Sequence, residues 1–362
     1  MNILLLTCSF GNGHYSAANA LKERIIKDFP GASVTLCDLI ARRYPKRIKA
    51  IYRVYSFFTR ELQPLYNIAA SQNIRRKGPW SFLQRTCESS LLRELHTCIQ
   101  SEAPDLIIST YSLTSRLMAE YQRQTQMDIP FVSCITDLEI HSGWVHPETS
   151  LYLVASEKTR SRLIENGTSP DKVLVTGIPV SSSFRPGGNK EKPYKRLLVM
   201  GGGLGLLPKD LAFYRRLSEL KGVKTTVVCA RNKRLHRQLL EEKIPGLEVL
   251  GFAKDIPERL ADADALITKA GGVAVFEAIA AGVPLLLFPP FMKQEIHNFD
   301  FIVEGGMGFS LPSDDADSVD AIESLLRTPD ALHMCKEQML QMQHSLHPER
   351  FHHYLVQRSY AS

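Results

Sequence analysis

The residues best suited to chemistry in this chain sit in glycine turns that follow short apolar runs. Gly271-Gly272 follows Ala265-Leu266-Ile267-Thr268 and opens a helical stretch to about Ala281. Unpaired N–H groups at a helix start, beside glycines that let an anion approach the backbone, make a diphosphate site. Glu277 falls about one turn further on, where a carboxylate can accept from both hydroxyls of a ribose. A plain βα turn with a surface glutamate is the bland alternative. Gly201-Gly202-Gly203-Leu204-Gly205 repeats the arrangement after Leu197-Leu198-Val199-Met200. No Gly-Lys-Ser/Thr follows, and the next run ends Val228-Cys229-Ala230-Arg231 without the acid of a dinucleotide fingerprint. Spacing therefore points to a phosphate-bearing nucleotide and assigns no nicotinamide.

A different group comes from Gly11-Asn12-Gly13-His14, which places an imidazole at a glycine turn near a helix N-terminus. That position favours a neutral ring able to take a proton from an alcohol, although a capping or core-edge histidine has the same signature. Thr136-Asp137 opens a second cluster that runs through His141, Trp144 and His146. The i,i+5 spacing of the two histidines and the lack of an acidic ligand pair argue against a catalytic metal. Asp137 reads as a polariser of His14 or as a backup base. Phe291 to Asn298 gathers Gln294, Glu295 and Asn298, acceptors and donors that suit a polyhydroxylated ring.

The elements that position these groups read as two halves. Ile3–Leu6, Val34–Cys37, Leu106–Ser109, Phe131–Ile135 and Leu151–Val154 are short apolar runs with helix-like stretches between several of them, the signature of a doubly wound parallel sheet. A Ser, Pro and Gly-rich stretch and a charged tract then separate residues 1–180 from a second unit over 196–340, with 181–195 as linker. Runs at 197–200, 225–229, 247–250, 265–268 and 284–288 recur at βα spacing. The fold class is α/β, with two Rossmann-like units that leave a cleft between them and hold function on the loops after their strands. Residues 341–362 form a C-terminal helix that packs back on the first unit, and His344 to Tyr354 reads as a solvated face.

With 362 residues, 44% hydrophobic and 23% charged, the chain can bury two cores. No apolar stretch is long enough to span a bilayer, and the N-terminus lacks a secretory pattern. Seven scattered cysteines without a Cys-x-x-Cys pair read as reduced, buried cytosolic thiols. The net charge of +6 is concentrated: between Arg42 and Arg85 stand eleven Lys or Arg against one acid, Glu61. Tyr52, Tyr55, Phe57, Phe58, Tyr66 and Trp80 interleave with Arg75, Arg76 and Lys77. Charge to approach and rings to sit among headgroups suit an anionic membrane surface, whereas no nucleic-acid module accompanies the charge. A solvated helical face with structural tyrosines is the other reading.

Across Gly11 to His14, Thr136-Asp137 to His146, Val175-Thr176-Gly177-Ile178-Pro179, Ile267 to Gly272 with Glu277, and Gln294-Glu295 with Asn298, the chain resembles the monogalactosyldiacylglycerol synthase and processive diacylglycerol glucosyltransferase family of glycosyltransferase family 28. The resemblance implies the GT-B architecture and an inverting transfer from a UDP-hexose that needs no metal or other cofactor. It places His14 as the base with Asp137 beside it. Donor contacts would come from Gly13, Gly202, Gly203, Gly205, Arg231, Asn232, Phe252, Lys269, Gly271, Gly272, Glu277, Gln294, Glu295 and Asn298. His141, Trp144 and His146, with Arg75, Arg76, Lys77 and Trp80, would face a diacylglycerol-type acceptor at the inner face of the cell membrane. Ala270, Ala274 and Met292-Lys293 depart from the family's Pro, Thr and Pro-Gly, which leaves the hexose open, and Ala230 replaces a Gly. The rivals are a transferase for another lipid-linked acceptor such as a peptidoglycan precursor, a UDP-sugar epimerase, and a nonenzymatic UDP-sugar sensor.

Overall fold

A computed structural model describes residues 1–9, 12–48, 50, 53, 79–188, 193–290 and 293–359. Arg75, Arg76 and Lys77, and the aromatic residues from Tyr52 to Tyr66, lie outside the described residues. The chain divides into two compact units, Met1–Ser181 with Leu346–Ser362, and Ser182–Ser345.

In the first unit six parallel strands, β1 (Asn2–Thr7), β2 (Ser33–Asp38), β3 (Leu106–Ser109), β4 (Phe131–Cys134), β5 (Leu151–Val154) and β6 (Val173–Val175), are ordered β2-β1-β3-β4-β5-β6. Successive residues of β1 feed opposite faces of the sheet. Ile3 and Leu5 join one buried cluster, with Leu21 and Ile25 of α1 (Gly13–Asp28). Leu4 and Leu6 join another, with Leu95 and Ile99 of a later helix (Pro79–Glu102). Because helices cover both faces, the strands read as unbroken apolar runs and not as an alternation.

The second unit repeats the plan with β7 (Lys195–Met200), β8 (Val223–Val228), β9 (Leu247–Leu250), β10 (Ala265–Thr268), β11 (Leu285–Leu287) and β12 (Gly308–Ser310), ordered β12-β11-β10-β7-β8-β9. Two strands, β6 and β12, are absent from the sequence reading. Each is three residues long and lies at the edge of its sheet, too short for a period to register. Gly187, in the stretch read as linker, lies against the carbonyl of Ala261 so closely that a side chain there has no room.

The closing helix (Pro348–Ser359) corrects one expectation. Phe351 and Leu355 are buried in the first unit's core with Ile3 and Leu21, and His352 stacks on Phe29 at 5.0 Å while its Nδ1 lies 3.2 Å from Asp28. The histidine-rich stretch is therefore solvated on one side only. Cys87 is another correction: it is exposed, whereas the other six thiols are buried, and none of the seven is in a disulfide. Among the described residues no helix is long and apolar enough to cross a membrane.

Candidate functional site

Strand order reverses in the second unit between β7 and β10, and open parallel sheets take ligands outside the carboxyl ends of the strands at such a point. The loops leaving these two strands are Gly201–Gly205 and Lys269–Gly272. Gly202 adopts φ 66° and Gly205 φ 64°, left-handed values that cost a side-chain-bearing residue about 1–2 kcal/mol. A Cβ on Gly205 would stand 2.1 Å from the Cys229 carbonyl oxygen, so this glycine is needed for close packing. Asn232 locks the same corner, donating from Nδ2 to the Gly205 carbonyl (2.9 Å) and accepting at Oδ1 from Leu235 N–H (3.2 Å). Both ends of its amide are used. Gly205 and Asn232 thus shape the loop, whatever contact they make with a donor.

Lys269 is the cation of this corner. Its Cε lies 3.5 Å from where a Gly202 Cβ would stand, and its Nζ 3.2 Å from that of Gly271. The ammonium pairs with Oε1 of Glu295, which is 2% exposed. Glu295 thus holds Lys269 through Oε1, while its Oε2 is buried without a hydrogen-bond partner among the described residues. Asn298 is likewise buried, its Nδ2 donating to the Ala270 carbonyl at 2.9 Å, which fixes the turn before Gly271. Gln294 lies in the first turn of the helix Lys293–Glu304.

A helix, Gly272–Ala281, starts at this turn with Gly271 as its N-cap. It has no side-chain cap and no acid in its first turn, so its leading N–H groups and positive dipole end add to the Lys269 charge. Glu277 lies on this helix, half-buried, with no hydrogen bond or ion pair among the described residues. Burial pushes its carboxyl up to about 8. A carboxylate short of donors is one prepared for hydroxyl groups that a ligand brings. Phe252, just past β9, is 63% exposed, and Arg231 is exposed without an ion-pair partner among the described residues. Gly203 is half-buried in the first loop.

The first unit has its own reversal, between β1 and β3. His14 is the second residue of α1, directly after Gly13, and Asn12 caps that helix in a left-handed conformation with φ 69°. The half-buried ring of His14 lies 4.9 Å from Tyr111, just beyond β3. Its Nδ1 lies 2.7 Å from Thr136 Oγ1. Burial depresses its pKa most, with His141 adding to that effect, while the charge of Asp137 and the carbonyl of Thr110 oppose it. The ring is neutral at physiological pH, as the helix-terminus argument expects, but burial is the main reason. Asp137 acts through charge, and Thr136 makes the contact. Thr110, Tyr111 and Thr136 carried no role in the sequence reading. The signal that finds them is position, immediately past the strands at or beside the reversal.

Two residues expected to face a lipid do not. Trp144 is fully buried among Ile135, Tyr152, Val154 and Leu163. His146 is buried, its Nε2 lying 3.1 Å from the Gly143 carbonyl and its backbone N–H donating to Tyr152 Oη at 3.0 Å. Both hold the loop after β4 together, because a bulky ring in a short connection between buried strands is driven into the core. His141 is exposed and accepts from Gly143 N–H at Nδ1 (3.1 Å). Trp80 lies in the first turn of the helix that starts at Pro79.

Comparison with known proteins extends this geometry. Residues 14–180 match the model of monogalactosyldiacylglycerol (MGDG) synthase, and residues 197–350 match that of the glycosyltransferase family 28 C-terminal domain. The processive diacylglycerol beta-glucosyltransferase of Bacillus subtilis (strain 168) is 30% identical over 357 residues, covering 92% of this chain and 89% of that one. MurG of Acinetobacter baumannii superposes with a TM-score of 0.61 at 14% identity, covering 99% of each chain. Anabaena HepE in complex with UDP-glucose gives 0.57 at 13% identity over the full length of both chains. At such identity these two structures establish the GT-B fold alone. Family models over both units and a relative matched along nearly its whole length make this chain a member of glycosyltransferase family 28, in the branch of the diacylglycerol glycosyltransferases.

Proposed function

We propose that the protein transfers a hexose from UDP-glucose or UDP-galactose to diacylglycerol, or to a glycosyl-diacylglycerol, with inversion and without a metal, working peripherally at the inner face of the cell membrane. One observation carries this reading: a lysine held by a buried glutamate, an uncapped helix start and a carboxyl without a hydrogen-bond or ion-pair partner among the described residues lie on the loop and helix that follow β10 at the strand reversal of the second unit. That set matches a nucleoside diphosphate, with Lys269 and the N–H groups of Gly272 onward on the phosphates and Glu277 on the ribose. Two similar proteins support it: the Bacillus subtilis relative is a diacylglycerol glucosyltransferase, and the HepE structure, alike in fold, holds UDP-glucose.

In this mechanism Nε2 of His14 takes the proton of the acceptor hydroxyl as its oxygen attacks the anomeric carbon. The bond from that carbon to the diphosphate oxygen breaks, and UDP leaves carrying the electron pair. Lys269 and the helix N–H groups stabilise the developing charge where another transferase uses a divalent ion. A neutral base suits the step, since a protonated ring has no lone pair to offer.

The test is incubation with a panel of UDP-sugars and diacylglycerol-containing vesicles, with lipid products read by mass spectrometry. A hexosyl-diacylglycerol from one or two donors is expected. Absence of any glycolipid, or sugar appearing only on a peptidoglycan lipid precursor supplied in parallel, contradicts the proposal.

A further inference from the structure

We propose that Thr136 is the positioning residue that fixes the tautomer of His14, holding the ring proton on Nδ1 and leaving the lone pair on Nε2; this rests on the reading of His14 as the base. Thr136 is 3% exposed, two residues past the end of β4. Its Oγ1 lies 2.7 Å from His14 Nδ1 and 3.4 Å from the Thr110 carbonyl oxygen. A hydroxyl has one proton and two lone pairs, and a carbonyl has no proton to give. One arrangement satisfies all three groups: Thr136 donates to the Thr110 carbonyl and accepts from Nδ1–H. The reverse, with Thr136 donating to Nδ1, takes the Thr136 hydroxyl proton away from the Thr110 carbonyl and moves the ring proton to Nε2. The nitrogen needed as base is then occupied.

The backbone around the pair is itself fixed. Thr110 is fully buried, and its Oγ1 lies 2.9 Å from Thr7 Oγ1 and 3.0 Å from the carbonyl of His14. Ring and main chain of His14 are thereby tied to residues at the ends of β1, β3 and β4. The titratable groups acting on the ring are Asp137 and His141, and the Tyr111 ring lies alongside it. A carboxylate bonded directly to Nδ1 would fix the same tautomer but also draw a second proton onto the imidazole. A threonine sets the proton's place without adding charge, so the base stays free to lower pH.

Selective 15N labelling of histidine, with the ring nitrogens read by NMR in wild type, Thr136→Val and Thr136→Ser, tests this directly. The wild-type His14 should show a single Nδ1–H tautomer. Thr136→Val should give a mixture and lower kcat about 10- to 100-fold, the usual effect of losing an orienting partner, with KM for the donor near wild type. Thr136→Ser should restore both. A wild-type ring protonated on Nε2, an unchanged ring in Thr136→Val, or a serine variant as impaired as the valine overturns the inference. If wild type glycosylates no lipid with any donor, the base reading fails instead, and the ring nitrogens still report whether Thr136 sets the tautomer.

Discussion

Glu277→Gln should strengthen the fold and weaken nucleotide binding at once. The carboxyl is held at about 8 by burial, against 4.5 for the free side chain. A group whose folded pKa is raised gives its full stabilisation below the unfolded value and loses it as pH rises through the folded one. Between 4.5 and about 8 the unfolded chain ionises while the folded one resists, at about 1.4 kcal/mol per pH unit. By about pH 7 this amounts to ~3 kcal/mol, and because the side chain keeps some contact with water ~2 kcal/mol is the realistic figure. Urea unfolding of the ligand-free protein should therefore show wild-type stability falling from pH 5 to pH 8, and a flatter profile in Glu277→Gln. The same carboxylate must ionise to accept two ribose hydroxyls, so wild-type UDP affinity should rise with pH through about 8 with release of a proton. Calorimetry in buffers of different ionisation enthalpy measures that proton. The reasoning is refuted if the glutamine variant unfolds at the same urea concentration as wild type at pH 8 and binds UDP equally well.

Other consequences are open to measurement. Ala230 adopts φ 47°, at a position where the family resembled by this chain has glycine, so Ala230→Gly should raise the unfolding free energy by about 0.5–1 kcal/mol after the glycine's own entropy is deducted, seen as a higher urea midpoint; a lower midpoint contradicts this. Reversing Arg75, Arg76 and Lys77 to glutamate should reduce co-sedimentation with anionic vesicles at low salt, each charge being worth about 1 kcal/mol at such a surface, and unchanged sedimentation removes the membrane argument. Cys87 should react with a thiol reagent in the native protein while the six buried cysteines react only on unfolding; a second fast thiol would mean that a buried site opens readily.

Much of the fold was legible because both sheets are parallel and covered on both faces. Leu106–Ser109, Leu151–Val154, Leu247–Leu250 and Ala265–Thr268 are strands with the bounds their apolar runs suggest. Composition alone could not reveal Val173–Val175 or Gly308–Ser310, whose pairing to a neighbouring strand supplies what their length does not. At the site, residue type gave the location but not always the duty. Glu295, Asn298 and Asn232 look like ligand contacts in sequence because they are polar and follow strands. Folded, each also holds a neighbour in place, Lys269, the Ala270 carbonyl and the Gly205 loop respectively, a duty that residue type alone does not reveal. Trp144 and His146 were misplaced for a related reason: aromatic rings beside a cleft motif resemble a lipid contact, and only burial shows that they fill a core. The role of Thr136 is not legible in sequence because its contact with His14 joins residues 122 positions apart.

The division of labour between the units is tested most directly by His14→Ala, assayed side by side for UDP binding by calorimetry and for lipid glycosylation. Hexose transfer should fall by at least about a hundredfold, the usual contribution of a general base, while the Kd for UDP stays within about twofold of wild type. Transfer that persists, or a UDP affinity that collapses together with it, would make His14 a structural residue and remove the base from the mechanism.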